Sequence, residues 1–227
     1  MREVVLDTET TGLDPAAGHR LVEIACLELH NRVPTGEHFQ AYLNPERDMP
    51  EEAFKIHGLS SEFLADKPRF AQVVEEFIAF VGEAPLVIHN AEFDLRFINA
   101  ELKRMERPSI GPGHKVIDTI AIARRRFPGS PASLDALCRR FEIDNSARTL
   151  HGALLDCELL AEVYLELSGG RQPGFDLAQQ TQAALQAESN APKAKREPRP
   201  HAPSDAELKA HAAMTARLKD PLWGKET

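Results

Sequence analysis

The chain has 227 residues and a formal net charge of −8, with 42% hydrophobic and 27% charged residues. This composition is that of an ordinary globular protein, and no apolar run approaches the ~20 residues that a membrane helix needs. Proteins that hold nucleic acid through phosphate contacts alone usually carry a basic excess, so the acidic balance excludes that mode of binding. A strand-like run begins at residue 3, and the three cysteines lack a metal-type spacing. Both features predict a cytoplasmic protein without a signal peptide.

The first 170 residues are predicted to form one α/β domain. Apolar runs predict strands over residues 3–7, 21–29, 38–43, 86–88 and 116–117. Helical spacing predicts helices over residues 51–56, 70–81, 93–104, 119–127, 133–141 and 152–168. Strands come first and then alternate with helices, which is typical of a mixed sheet flanked by helices.

Beyond residue 170 the composition changes twice. Residues 171–203 are rich in Gln, Ala and Pro, as expected of a flexible linker. Ser204 and Glu207 then form a capping-box pattern that opens a helix, with Leu208, Met214 and Leu218 on one side and Pro221 at its end. Residues 204–227, which include the only tryptophan, Trp223, are predicted to bind a partner protein through Leu208, Leu218 and Trp223.

Two carboxylates lie at the C-terminal end of the first predicted strand. Residues two apart on a strand point to the same face, so Asp7 and Glu9 project side by side. Adjacent carboxylates repel each other unless a cation lies between them. The alternative is an edge strand that frays into a polar turn.

Two further acids follow later elements. Asp94 falls in the first turn of a helix, where the helix dipole favours an ionised carboxylate, although simple capping would explain it too. Asp156 follows His151 by five residues, which on one helix would place them ~140° apart. We therefore expect Asp156 on the helix and His151 on the loop before it, with Gly152 providing the bend. Taken alone, this pair is equally a surface histidine before a helix.

The acids together suggest a metal-dependent site. Asp7, Glu9, Asp94 and Asp156 each lie at the end of an element, where open α/β sheets place their sites. Such a cluster suits two divalent cations, Mg²⁺ or Mn²⁺, which prefer oxygen ligands and catalyse in-line attack on phosphorus. Histidine titrates near neutrality, so His151 suits the general base.

Three motifs resemble those of the DEDD exonucleases, in the subgroup with histidine in the third motif. They are DTETTG at residues 7–12, HNAEFD at 89–94 and HGALLD at 151–156. The resemblance implies a ribonuclease H-like fold and two-metal 3′→5′ hydrolysis that releases nucleoside 5′-monophosphates. It also implies that Asp7, Glu9 and Asp156 face the substrate as well as the metals.

Other segments are similar to the epsilon subunits of bacterial DNA polymerase III. They include IHGL at residues 56–59, LDALC at 134–138 and RTLHG at 148–152. The resemblance implies that Thr10, Thr11 and His57 border the bound nucleotide, although His57 could equally be a turn residue. It implies a DNA 3′ end as substrate and the polymerase alpha subunit as partner. Whether the small third core subunit of some members is present stays open.

Residues 172–177 (QPGFDL) resemble short peptides that bind a sliding clamp, through Gln172, Phe175 and Leu177, but they could simply begin the linker. Two other functions remain open at this point. One is a stand-alone exonuclease that trims RNA or short oligonucleotides. The other is a non-catalytic subunit that links the polymerase to the clamp.

Overall fold

The computed structural model describes residues 1–111, 113–146, 148, 150–170 and 202–218. The chain divides into two compact units, Met1–Gly174 and Phe175–Thr227, which are described separately below. The predictions for Gln172, Phe175, Leu177, Pro221 and Trp223, and for most of the linker, lie outside the described residues. No helix among the described residues is both long enough and apolar enough to span a bilayer.

The first unit is built on a mixed five-stranded sheet, as predicted. Its strands are β1 Arg2–Thr10, β2 Leu21–His30, β3 Val33–Tyr42, β4 Leu86–Ile88 and β5 Val116–Asp118, in the order β3-β2-β1-β4-β5. β1 pairs antiparallel with β2, as β2 does with β3, whereas β1–β4 and β4–β5 are parallel. This is the ribonuclease H-like arrangement that the sequence predicts.

Seven helices flank this sheet in the described part of the first unit. They are α1 Glu51–His57, α2 Ser61–Leu64, α3 Phe70–Val81, α4 Ala91–Arg104, α5 Thr119–Arg126, α6 Leu134–Phe141 and α7 Ala153–Leu167. Side chains cap three of them: Ser60 for α2, Asp118 for α5 and Ser133 for α6. Helix α2 is absent from the sequence-based prediction, since its four residues are too short to show helical spacing.

Two predicted strands have different bounds in the structure. β1 continues to Thr10 rather than ending at Asp7, because its pairing with β2 extends to Thr10 opposite Leu21. β3 begins at Val33 rather than His38. Its first residues are exposed, so they lack the alternation of apolar side chains by which a strand is recognised. Asp7 and Glu9 thus lie in the last part of β1, at the C-terminal end of the strand as predicted.

The sheet buries a separate core on each face. Val4, Leu6 and Ile24 pack with α3 and α4, whose Phe77 and Phe97 are fully buried. The opposite face packs on α5, α6 and α7, and this second core includes Val5, Ala25, Leu160 and Val163. Because successive side chains on a strand alternate between faces, Asp7 and Glu9 share the α7 face with Val5.

The second unit is described only over residues 202–218. Helix α8, Asp205–Thr215, opens with the predicted capping box: Ser204 Oγ accepts from the Glu207 N–H, and Glu207 Oε2 accepts from the Ser204 N–H at 2.8 Å. The helix ends at Thr215, earlier than the predicted stop at Pro221. Leu208, Met214 and Leu218 are about half exposed. Within its own unit, α8 buries none of its residues.

Candidate active site

The last part of β1 carries the first two acids. β4 pairs with β1 only at Val4 and Val5, so the rest of that edge of β1 is open to the start of α4. The alternation of the strand places Asp7 and Glu9 on the same face, as predicted. Glu9 is buried, and Asp7 is partly exposed.

Helix α4 brings the third acid to the same place. Asp94 lies in its first turn and is buried, and its Oδ1 accepts a hydrogen bond of 2.7 Å from the Thr8 hydroxyl. Thr8 lies on the face of β1 opposite to Asp7 and Glu9. The strand therefore presents acids on one face and holds the carboxylate of α4 from the other.

Helix α7 carries Asp156, and the loop before it carries His151, as predicted. The backbone N–H of His151 donates a hydrogen bond of 3.0 Å to the Ile56 carbonyl, which connects this loop to the end of α1. Gly152 is extended, with φ −151° and ψ 124°, and a Cβ there would meet no described atom within 4 Å. Any residue adopts this conformation, so the bend in this structure does not use the special conformational freedom of glycine.

All five predicted residues line one cavity of about 360 Å³. Oxygen and nitrogen atoms of Glu9, His151 and Asp156 that could bind a metal lie within 4.8 Å of one another, and Asp7 and Asp94 line the same cavity. The structure thus brings together three sequence segments that are far apart in the chain. It also places a ring nitrogen of His151, the predicted base, close enough to share a cation with two carboxylates.

Burial and mutual repulsion shift the acids away from their ordinary ionisation. Burial, and then the neighbouring Asp94, raise the pKa of Asp7 well above its usual range. Burial and the charge of Asp156 raise the pKa of Glu9 to about 8, and burial raises that of Asp94 to about 7. Burial would also raise the pKa of Asp156, but the hydrogen bonds and the charge of Arg148 outweigh it and lower the pKa.

The donor set fits divalent metal ions. Carboxylate oxygens are the ligands that hard cations prefer, and the cavity gathers five carboxylates, the four predicted ligands and Asp135, at a cost in repulsion. A bound cation would relieve that repulsion, because an opposite charge favours the ionised form.

Three residues near the site were given no role by the sequence interpretation. Arg148 forms two hydrogen bonds to Asp156 and one to Asp135, and Glu23 of β2 accepts from the Ala153 N–H at the start of α7. Arg148 and Asp135 also line the cavity. No sequence signal could have found these contacts, because they depend on which elements pack together.

A second cavity of about 440 Å³ shares Thr8, Glu9 and Phe93 with the first. Thr10 and Thr11 line this second cavity, but their hydroxyl groups form hydrogen bonds with backbone groups of the connection between β1 and β2. Thr10 donates to the Gly12 carbonyl at 2.6 Å, and Thr11 accepts from the Arg20 N–H at 3.0 Å. Both side chains are buried, so the two residues shape this cavity more than they offer polar groups to it.

His57 is buried at the end of α1. Its Nδ1 accepts from the Leu59 N–H at 3.0 Å, so the proton of the neutral ring is on Nε2. That Nε2 is buried and makes no hydrogen bond within the described residues. His57 therefore stabilises the turn after α1 through Nδ1, and its Nε2–H has no acceptor among the described residues.

Comparison with known proteins shows the family. A family profile described as Exonuclease matches residues 4–164, which include every acid of the cavity. The chain belongs to this exonuclease family. The exonuclease is 56% identical over 179 residues to the DNA polymerase III subunit epsilon of Rickettsia prowazekii, an alignment that covers 78% of each chain. It is 51% identical over 176 residues to that of Escherichia coli, covering 75% of this chain and 72% of the other.

A solved structure of exonuclease X in complex with 5′ overhanging duplex DNA has the same fold. Its TM-score is 0.58 at 27% identity, and the alignment covers 72% of this exonuclease and 89% of that chain. These likenesses confirm the predicted fold and the prediction of a 3′→5′ exonuclease related to the epsilon subunits. The family depends on divalent metal, in agreement with the donor set of the cavity.

Proposed function

We propose that this exonuclease removes nucleotides from the 3′ end of DNA as the proofreading subunit of a bacterial replicative polymerase. The observation that carries the proposal is the convergence of Asp7, Glu9, Asp94, Asp156 and His151 on one cavity. It occurs in a chain that is more than half identical to an epsilon subunit over most of its length. Hydrolysis adds water across the bond between phosphorus and the O3′ of the preceding nucleotide, and it releases a nucleoside 5′-monophosphate.

The four carboxylates would hold two divalent ions, Mg²⁺ or Mn²⁺. When bound, such ions activate water and stabilise the charge that develops on phosphorus. Asp7, Glu9 and Asp156 would also face the substrate, because they line the cavity between the sheet and α7.

His151 would take the proton of the attacking water. It lies at the mouth of the cavity, with 48% of its side chain exposed, so water reaches it. Its backbone is fixed to Ile56 and its ring lies beside Asp156, which orients the imidazole towards the acids. A positioned base of this kind contributes roughly 10²–10⁴ to a rate.

The second cavity would accept the terminal nucleotide. It begins at Glu9 and Phe93 and continues over Thr10, Thr11 and Ile56, so a nucleotide there would keep its phosphate next to the acids. His57, which follows Ile56 of this cavity in the chain, would offer its Nε2–H to the sugar or phosphate.

One assay tests catalysis and substrate together. The exonuclease should shorten a labelled, 3′-mismatched DNA primer faster than RNA of the same sequence, in Mg²⁺ but not with excess chelator. Asp7→Ala should remain folded and lose several orders of magnitude in rate, since the metal site acts as a unit. The matched control is Asp66→Ala, which removes an exposed carboxylate far from the cavity along the chain.

Three outcomes of this assay would sink the proposal. A preference for RNA would favour an exonuclease that trims RNA on its own. Near-normal turnover by Asp7→Ala, or activity in chelator, would exclude the metal mechanism. No activity on either substrate would favour a subunit that only links other proteins.

The C-terminal segment would attach the exonuclease to the polymerase alpha subunit. Helix α8 exposes Leu208 and Met214 and buries nothing within its own unit, which is typical of a helix that packs on a partner. Leu218 and Trp223 would extend this contact. The alternative is a tail without a partner.

A sliding clamp would bind residues 172–177. A fluorescence titration of that peptide against the clamp tests the contact, and substitution of Phe175 and Leu177 by alanine should abolish binding. Equal binding by the substituted peptide would leave these residues as part of the linker. Whether a small third core subunit joins the complex stays open.

A further inference from the structure

Arg148 makes four hydrogen bonds in the cavity. Its Nε and Nη2 donate to the two carboxylate oxygens of Asp156 at 2.5 and 2.6 Å. Nη1 donates to Asp135 at 2.8 Å, and Nη2 also meets Nδ1 of His151 at 2.9 Å. Only 7% of the Arg148 side chain is exposed, so water scarcely competes for these contacts.

The guanidinium of Arg148 contacts the carboxylate of Asp156, which is predicted to bind metal. The described lining of the cavity contains one permanently charged cation, and that cation is Arg148. It occupies both oxygens of Asp156, a predicted metal ligand. Each oxygen keeps a second lone pair, but a divalent ion bound there would lie beside the positive guanidinium, so their repulsion favours displacement of Arg148 from Asp156.

The same guanidinium also forms a hydrogen bond to His151, the predicted general base. Arginine only donates hydrogen bonds, so the contact at 2.9 Å requires Nδ1 of His151 to accept. The proton of the neutral imidazole is then on Nε2. One side chain thus engages the lone pair of the base and the oxygens of a metal ligand simultaneously.

We propose that Arg148 has two positions: it binds Asp156 and His151 when metal is absent, and the scissile phosphate once metal has displaced it. Its bond to Asp135 of α6 would keep the guanidinium at the cavity wall in both positions. The displaced Nε and Nη2 would then present a planar pair of donors, which matches two phosphate oxygens. The inference rests on the proposed function for the site itself, but not on DNA as the substrate.

Two binding measurements on the full chain test the proposal without turnover. The first is Mn²⁺ affinity without nucleotide, from the electron paramagnetic resonance signal of free Mn²⁺. Arg148→Met should bind Mn²⁺ about tenfold more tightly than the unsubstituted chain, because a charge-assisted contact no longer has to be broken. The second is affinity for thymidine 5′-monophosphate in saturating Mn²⁺. Arg148→Met should bind it about tenfold more weakly, because a donor pair to phosphate is lost.

Two further variants make the result specific. Arg139→Met makes the same change on the exposed side of α6, and both affinities should stay as in the unsubstituted chain. Arg148→Lys keeps the charge without the planar fork, and both affinities should fall between those of arginine and methionine. It also provides the measurement if Arg148→Met does not fold.

Unchanged or weaker Mn²⁺ binding by Arg148→Met would overturn the proposal, since Arg148 would then support the metal ligand rather than compete with the metal. Tighter Mn²⁺ binding with unchanged nucleotide binding would overturn it as well, because the second position would be missing. A preference for RNA in the primer assay would sink the proposed function and leave both affinities as expected here.

Discussion

At the scale of single residues, the fold places the acids of the cavity where burial and neighbouring carboxylates disfavour their ionised forms. Asp7, Glu9 and Asp94 are partly or wholly removed from water, and each is close to another carboxylate. Isolated carboxyl groups titrate near pH 4. Without metal, the folded state therefore takes up protons that the unfolded state releases.

This difference predicts how the metal-free protein responds to pH. The pKa values of Glu9 and Asp94 in the folded protein are about 8 and about 7. Between about pH 4 and pH 8 the folded state binds more protons than the unfolded state, so the free energy of unfolding falls as pH rises. We expect the melting temperature in chelator to decrease over this range, and excess Mg²⁺ to remove most of the decrease.

Glu9→Gln provides the control for this measurement. Burial lowers the pKa of His57 and His89, which stabilises the fold as pH rises towards about 6.5 and opposes the effect of the acids. Asp156, whose pKa is lowered, affects stability only below about pH 4. The two histidines are common to both chains, so the melting temperature of Glu9→Gln should depend less steeply on pH. Equal slopes would show that Glu9 does not titrate as described.

The role of His151 requires a measurement because its ring lies within reach of two predicted metal ligands, Glu9 and Asp156. His151→Ala should lower turnover by roughly 10²–10⁴ and change the acid limb of the pH–rate profile, as expected for loss of a base. Its Mn²⁺ affinity should stay close to that of the unsubstituted chain. His38→Ala, on the exposed strand β3, is the matched control. A metal affinity that collapses together with turnover would make His151 a ligand instead.

At the scale of elements, the start of α7 depends on strand β2. Gly152, the N-cap residue of α7, has no side chain to cap the helix, and Glu23 of β2, on the face of the sheet that packs on α7, supplies the acceptor. The carboxylate of Glu23 is buried, lies opposite Glu9 in the strand register and also accepts from Gln40 at 2.7 Å. Glu23 is thus a positioning residue for the helix that carries Asp156.

Two substitutions separate this positioning from the charge. Glu23→Ala leaves the Ala153 N–H buried without its acceptor, which costs about 1–3 kcal/mol, so both the melting temperature and turnover should fall. Glu23→Gln keeps an acceptor and should retain most of both. The exposed Glu37→Ala serves as the control. If Glu23→Gln is as damaged as Glu23→Ala, the charge of Glu23 matters rather than its hydrogen bond.

At the scale of the whole molecule, the net charge of −8 agrees with an exonuclease that relies on its polymerase partner for most of the binding to DNA. An acidic exonuclease need not hold DNA strongly if its polymerase does. A tether through residues 171–203 would raise the local concentration of the active site to about the millimolar range expected for short linkers.

Truncation after Gly170 tests whether hydrolysis and polymerase binding lie on different parts of the chain. The shortened chain should hydrolyse free single strands at the normal rate, because it contains the sheet and the whole cavity, and it should no longer co-elute with the polymerase alpha subunit. Replacing Leu208 and Leu218 together by serine should weaken co-elution, whereas Lys209→Ala on the same segment should not. Tight binding of the truncated chain would place the contact on the first unit.

Short-range patterns of the sequence were enough to predict the sheet, most helices and four of the five acids that line the cavity. Alternation along β1 sets the common face of Asp7 and Glu9, and the capping box at Ser204 starts a helix. Each of these signals lies within a few residues, so it can be read before the chain is folded. The same is true of the spacing that separates His151 from the helix of Asp156.

Tertiary structure alone decided which side chains meet these residues. The length of β3 depends on pairing with β2, and the burial of Thr11 depends on the turn that its hydroxyl supports. The contacts of Arg148 with Asp156 and of Glu23 with Ala153 join segments that only packing brings together. Such contacts depend on the whole arrangement of helices around the sheet, because a side chain eight or more residues away along the chain has no fixed direction until that arrangement forms.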